Sequence, residues 1–372
     1  MTETSQTPDL EPRSPGRIAA VDVFRGATVA SMLLVNNPGT WSAIYPPLEH
    51  AAWHGWTPTD LIFPFFLFIV GITTELSRKE PLAILRRGAL IVLCGLLVNL
   101  FPYFRFGTLR FSGVLQRIGV VYIVAALIAR WSGARLQRAP QGAPKARTTP
   151  APLLLAIVAV LLLGYWAILA TGPLEPPDAT VAARIDRALL APNHIWKSAK
   201  TWDPEGPLST IPAVATALLG ILATPWVRAR NLKALLLAGG AGLAVGLLWH
   251  RWFPINKNLW TSSYVVFTAG FACVLLAILI WIIDVRQWRG WTRPFVVYGV
   301  NPLIAFLGSG AMARLLGIIK IDGRSLQSWS YRLAFKPYFE PKFASLLWAL
   351  SFVLLWLAIL WVLYRRNIIL KV

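Results

Sequence analysis

NNPGTWSAIYPPLEHAAWHGWTPTDLIFPFFLFIVG, residues 36–71, joins the end of one long apolar run to the start of another. Between the runs stand His50 and His54, three tryptophans, several prolines and Asp60, with no lysine or arginine. Working outward, apolar runs of about 20 residues recur along the whole chain, which is the length a helix needs to cross a bilayer. Of the 372 residues 56% are hydrophobic and only 14% charged, where a soluble domain is about a quarter charged. The sequence therefore predicts an all-α polytopic membrane protein. Its spans fall at 18–37, 58–77, 82–101, 112–130, 151–171, 209–226, 233–251, 261–284, 294–317 and 343–364, a bundle of about ten transmembrane helices.

Basic residues orient such a bundle, because short cytoplasmic loops retain Lys and Arg. The short connections carrying Arg78, Lys79, Arg86 and Arg87, and Arg228, Arg230 and Lys233, are strongly basic, whereas 38–57 holds none. Both termini are expected in the cytoplasm and the 38–57 hairpin on the far side. Residues 1–17 read as a disordered cytoplasmic N-terminus without a cleavable signal. Residues 131–150, basic and rich in Pro and Ala, read as a cytoplasmic linker, and 172–208 as the longest exterior loop. No internal repeat and no separate soluble domain is visible.

The formal charge of +20 does not point to nucleic acid, because the cations are dispersed between apolar spans. Anionic lipid headgroups and an anionic ligand explain them better. Cys94 and Cys273 lie in apolar runs and read as core thiols. No His-x-x-x-His or Cys-x-x-Cys spacing supports a metal, and no phosphate-cradling glycine loop or nucleophile elbow is present.

Ionisable and amide side chains at membrane depth are costly, and they mark candidate sites. Asp22 and Arg25 lie three apart on one helix face. They form either a neutralised pair at the inner interface or an arginine reaching an anionic ligand there. Asn36 and Asn37 precede Pro38 and Gly39; Asn, Pro and Gly stop helices, but one cap does not need two asparagines. Thr57-Pro58-Thr59-Asp60 is a capping box opening the second span. That role accounts for Asp60 by itself, and a capping carboxylate so fixed is also able to orient an imidazole. Spacing does not separate His50 from His54. His194 lies in the exterior loop and His250 at a span end.

Several of these stretches, taken together, resemble the heparan-α-glucosaminide N-acetyltransferase family. They are Asp22 with Phe24-Arg25-Gly26, Val35-Asn36, His50-Ala51 with Trp53 and Gly55, Asp60-Leu61 with Phe63-Pro64, and Gly113-Val114-Leu115-Gln116-Arg117. Trp202-Asp203-Pro204-Glu205-Gly206, Asn256-Lys257-Asn258-Leu259-Trp260 and Ser263-Tyr264 follow in the same order. The resemblance runs from about Arg17 to Asn301. The chain resembles bacterial members associated with N-acetylglucosamine use, and the resemblance implies a form lacking the extra N-terminal non-cytoplasmic region and first span of the lysosomal enzyme. It implies a single transmembrane acetyltransferase domain over 18–372, in a bacterial inner membrane with the hairpin facing the periplasm. It also implies acetyl-CoA as co-substrate, an amino-sugar acceptor, no metal, and a homodimer. His50 matches the family's active-site histidine and Asn36 its neighbouring asparagine.

Acetyl transfer from a thioester to an amine needs a base for the amine, donors for the tetrahedral oxyanion and a leaving thiolate. An imidazole, with an unperturbed pKa near 6.5, suits the first task. His50 is accordingly read as general base or as a transient acetyl carrier, and Asn36 as an oxyanion donor. Asp60 would fix the His50 tautomer, with Glu49 as its rival. Arg25, Gln116 and Arg117 are candidates for binding the cofactor. Asp203, Glu205, Asn256, Lys257, Asn258 and Asn301 are candidates for binding the acceptor. The competing readings are an amino-sugar permease, which would show broken spans, and an acyltransferase of another acceptor class.

Overall fold

The computed structural model describes residues 18–137 and 151–370. The N-terminal 1–17 lies outside them. Of the linker expected at 131–150, the first part continues a helix through Gln137, and 138–150 lies outside the described residues. Thirteen helices are described: α1 (Ala19–Asn36), α2 (Ile62–Ser77), α3 (Pro81–Leu100), α4 (Val114–Gln137), α5 (Ala151–Leu169), α6 (Val181–Leu190), α7 (Pro207–Arg228), α8 (Leu232–Trp249), α9 (Ser262–Leu279), α10 (Arg293–Val300), α11 (Pro302–Ile318), α12 (Leu326–Ala334) and α13 (Pro341–Arg365). One two-stranded hairpin, Lys320–Ile321 against Arg324–Ser325, turns on Asp322 and Gly323, both with positive φ, as tight hairpin turns demand.

Nine helices among the described residues are long and apolar enough to cross a membrane, and α10 with α11 are so only as a pair, bent by 83°. Nine of the ten expected spans are thus matched by a single long helix each, and the segment expected as the ninth is a bent helix pair, a broken span or a re-entrant loop. The break falls between Val300 and Pro302, because proline cannot continue the preceding helix's hydrogen bonding. The 172–208 loop is more ordered than its composition suggested. It contains α6, whose N-cap Thr180 accepts from the Ala183 amide at 3.1 Å.

The bundle is organised around α2 and α7, the most buried spans, while α3 and α8 lie at its edge. Helices that lack a hydrophobic drive toward each other in lipid pack through small residues. A Cβ at Gly71 would sit 1.9 Å from the Ala217 carbonyl oxygen, and one at Gly220 would sit 2.1 Å from that of Phe68. Either substitution would drive α2 and α7 apart. The first amides of α1 have no side-chain cap of their own. They donate to the Asp284 carboxylate at the end of the α9 span, at 3.2 Å from Ala19 and 3.0 Å from Ala20, so these helix-end donors are met where water is scarce.

Candidate active site

At one end of the bundle the 37–57 hairpin meets the 250–261 loop and the start of α2. A 3₁₀ turn, Pro58–Leu61, precedes α2, and its capping box is complete. Asp60 is almost fully buried. Its Oδ2 accepts from the amides of Ala51 and Thr57, both at 3.0 Å, while Oδ1 lies 2.6 Å from His50 Nδ1. The Tyr264 hydroxyl donates to the Asp60 carbonyl at 2.5 Å. With Asp60 ionised, Nδ1 carries the proton and donates, which leaves Nε2 as the lone-pair atom of a half-exposed ring. Glu49 enters this arrangement through its backbone carbonyl, which accepts from the Thr57 hydroxyl at 2.6 Å; the carboxylate against His50 is that of Asp60.

Lys257 Nζ lies 3.3 Å from His50 Nε2. Burial pushes this ammonium below its ordinary value and Arg117 adds to the effect, with Glu205 and Asp60 pulling the other way. His54 has different partners. Its Nδ1 is 3.3 Å from the Asn256 amide nitrogen, and its Nε2 is 3.7 Å from Glu175. Burial lowers its pKa, Glu175 opposes this and His250 adds to it. The two histidines, four residues apart in sequence, thus sit in unlike surroundings, and a carboxylate at hydrogen-bond distance from a ring nitrogen distinguishes His50.

A second polar cluster lies behind Lys257. Arg110 grips Asp203 at 2.8 Å and 2.5 Å and Glu205 at 2.5 Å. Burial disfavours the charge on Arg110, but the two carboxylates outweigh it and raise the pKa. Burial likewise opposes ionised Glu205, and Arg110, Arg117 and Lys257 overcome that and lower it. Asp203 also accepts from the amides of Trp196 and Glu205, so the Trp202–Gly206 stretch is folded around its carboxylates. The Asn256 oxygen accepts from the Leu259 amide at 2.8 Å while its nitrogen lies against His54, and Asn258 lies half-buried beside it.

Three of the cavities among the described residues follow one another along the bundle. The first, of about 410 Å³, opens at the end opposite the hairpin, is lined by Arg25, Lys79 and Arg87, and has apolar walls that include Phe63 and Phe66. The central cavity, of about 300 Å³, shares Met32, Val114, Leu115 and Phe306 with the first and is lined by Asn36, Asn37, Asn99 and Gln116. The third, of about 540 Å³, lies at the hairpin end and shares Asn99, Arg110 and Arg314 with the central one. Asn37 turns its amide back to the Leu33 carbonyl at 2.8 Å, so one asparagine of the pair caps α1 while both border the cavity. Arg25 donates to the Gly299 carbonyl at 3.1 Å and pairs with Asp22 at 3.2 Å.

The structure separates several expected partners. Gln116 faces the central cavity, but its neighbour Arg117 points into the protein, donating to Ser209 and lying 5.0 Å over the Trp260 ring. Asn301 is not in the hairpin-end cluster. Its amide donates to the Ile368 carbonyl at 2.9 Å, and its oxygen accepts from the Leu370 amide at 3.1 Å. His50 lines none of the three cavities. Lys79, Arg87, Asn99 and Arg110 do not stand out in the sequence as site residues. The basic ones read there only as loop charges, and nothing in their spacing tells a lipid-facing cation from one that lines a cavity.

Fold and site define a polytopic helical membrane protein with a carboxylate-bound histidine at one end and a basic cavity at the other. Residues 17–139, which contain the hairpin, match the family model described as heparan-alpha-glucosaminide N-acetyltransferase, catalytic. Over 360 residues the chain is 29% identical to the human heparan-alpha-glucosaminide N-acetyltransferase, covering 79% of this chain and 53% of the relative. Over 364 residues it is 30% identical to the mouse protein of the same name, covering 81% and 54%. The chain belongs to the heparan-α-glucosaminide N-acetyltransferase family. It spans about half the length of the curated relatives it matches.

Proposed function

We propose that this protein is a transmembrane acetyltransferase that moves an acetyl group from acetyl-CoA at the cavity lined by Arg25, Lys79 and Arg87 to the amine of a glucosamine-type sugar at the hairpin end. The single observation that carries the reading is the chain of three cavities with shared lining residues, which runs from the basic mouth to Asn36 and on to the hairpin end. A slender, mostly apolar pantetheine arm suits the Phe63 and Phe66 walls, and guanidinium groups at the mouth suit the phosphates. The basic short loops support a cytoplasmic mouth and cytoplasmic termini, and a hairpin in the periplasm of a bacterial inner membrane.

In this reading the acetyl end emerges past Asn36, whose amide donates to the thioester oxygen as it becomes an oxyanion. The acceptor nitrogen attacks the carbonyl carbon, and the C–S bond breaks. The amine proton passes to His50 Nε2 and then to the thiolate. Asp60 keeps the proton on Nδ1, so that Nε2 stays the basic atom. The alternative order, in which Nε2 takes the acetyl first and passes it to the amine, uses the same atoms. Arg117 and Asn301 are assigned to holding the fold in this account, and Lys257 and Glu205 to the acceptor amine and hydroxyls.

The test is purified protein with acetyl-CoA and glucosamine, following free thiol. His50→Ala should lower the rate by about a thousandfold; thiol release that survives this change removes His50 from the chemistry. Rapid quench with acetyl-CoA alone, analysed for acetyl on His50, separates the two orders. A second reading, carriage of the sugar itself, draws on the broken α10–α11 span, and sugar uptake into vesicles without acetylation would support it instead.

A further inference from the structure

The 250–261 loop is folded so as to hold one side chain still. The Gly55 amide donates to the Ile255 carbonyl at 2.8 Å and ties the loop to the hairpin. The Asn256 amide donates to the Thr261 hydroxyl at 3.0 Å, and the Thr261 amide returns to the Asn256 carbonyl at 3.1 Å. The Trp260 amide donates to the Lys257 carbonyl at 3.1 Å, and Trp260 itself turns in the left-handed region with φ 54°. Lys257 lies inside this clasp, and its amine meets His50 across 207 positions of sequence. Nζ is 3.3 Å from Nε2 and 3.5 Å from Nδ1. A group in line with the Nε2 lone pair would stand far from Nδ1, so these nearly equal distances put Nζ over the imidazole ring. Among the described residues, no other lysine lies at hydrogen-bond distance from His50.

We infer that Lys257 is a modification site: when no sugar is bound, the protein passes an acetyl group from acetyl-CoA to its own Lys257 Nζ. The inference rests on the proposed transferase reading and adds to it a second acceptor, an amine of the chain itself. An acetyl group on Nε2 is conjugated with the ring and lies in its plane, and a nucleophile reaches the carbonyl carbon from above that plane. That is the side on which Nζ stands, at the separation of about 3–3.5 Å that attack requires. Burial also pushes the Lys257 ammonium below its ordinary value, which raises the share of free amine. In the stepwise order the Nε2 lone pair attacks the thioester carbon, the C–S bond breaks, and the thiolate takes up a proton. The Nζ lone pair then forms a C–N bond, and the Nε2–C bond breaks with its electron pair returning to Nε2. Acetyl-CoA and the lysine ammonium thus become acetyl-lysine, CoA thiol and one proton released to solvent. In the direct order His50 is the base and Nζ attacks the thioester itself, with the same balance. The sugar amine needs the same place beside Nε2, so bound sugar protects the lysine.

The experiment incubates the full chain in nanodiscs with acetyl-CoA bearing a heavy-isotope acetyl group and no sugar, then locates the label by peptide mass spectrometry. Lys257 should gain label at least about tenfold faster than the exposed Lys197, Lys200 and Lys342; labelling that merely follows exposure is spontaneous acetylation and overturns the inference. His50→Ala should slow labelling of Lys257 by at least about a hundredfold, with its melting temperature as the check on folding, and label that persists at the wild-type rate counts equally against it. Glucosamine added to the wild type at about ten times its KM should slow the labelling about tenfold. This arm needs no variant, and labelling indifferent to the sugar would show that Nζ does not share the acceptor's place. Protein that acetylates glucosamine yet leaves Lys257 bare overturns the inference and spares the transferase reading. Labelled Lys257 in protein that acetylates no sugar sinks the sugar acceptor and leaves the modification site standing.

Discussion

The two ends of the bundle handle charge in opposite ways. At the hairpin end two buried carboxylates have fixed partners: Asp60 has His50 and two amides, and Asp203 has Arg110 and two more. At the other end the mouth is lined by Arg25, Lys79 and Arg87, and burial with the neighbouring Arg87 pushes the Lys79 ammonium below its ordinary value. The carboxylates around His50 and Arg110 are held for geometry, while the opposite mouth gathers positive field. Bond-making needs atoms held within fractions of an ångström, whereas holding a diffuse polyanion needs only cations nearby.

If that contrast is right, substitutions at the two ends fail differently. The largest effect expected is for Asp60→Asn, which keeps the shape but releases the His50 tautomer: kcat should fall about a hundredfold or more with little change in KM for acetyl-CoA. An equal loss in both parameters would mean that Asp60 merely caps α2. Next, Asp203→Ala leaves Arg110 with half its partners and should cost about 3 kcal/mol of stability, read as a lower melting temperature in detergent; unchanged melting would show that the hairpin-end network is not structural. At the opposite end, Arg87→Gln should raise KM for acetyl-CoA about tenfold, an effect that weakens as salt rises and leaves kcat nearly intact. A fall in kcat alone would erase the distinction between the ends.

The smallest effect concerns Asp186 in α6. Burial and the neighbouring Asp203 raise its carboxyl to about 7, with the Asp203 amide, Arg117 and Arg187 opposing. A carboxyl raised on folding holds its proton in the native state. Its stabilising contribution is therefore complete at low pH and is lost as pH rises through about 7. The wild type should lose melting temperature between about pH 4 and about pH 7 more steeply than Asp186→Asn, and matching slopes would remove Asp186 from the network.

Much of this is legible in the chain alone. The spans announce themselves because lipid allows so few solutions for a backbone, and the Asn301-Pro302 pair carries the break. The Thr57–Asp60 cap is readable because capping is local. Choosing His50 over His54 is not, because the discriminating contact joins residues ten apart through a turn whose shape spacing does not encode. Arg110 and Lys257 are still less visible as partners, since their contacts reach across 93 and 207 positions. The short helices α6 and α12 escape because they lie on the surface between spans, where neither length nor hydropathy marks them.

Asn301 behaves toward residues 368–370 as one strand behaves toward another, giving and receiving through a single amide. The same tail supplies Ile369 and Leu370 to the wall of the basic cavity. A bulky label joined to the chain beside Leu370 would press on that wall. On the proposed reading, affinity for acetyl-CoA is therefore better measured on protein labelled elsewhere.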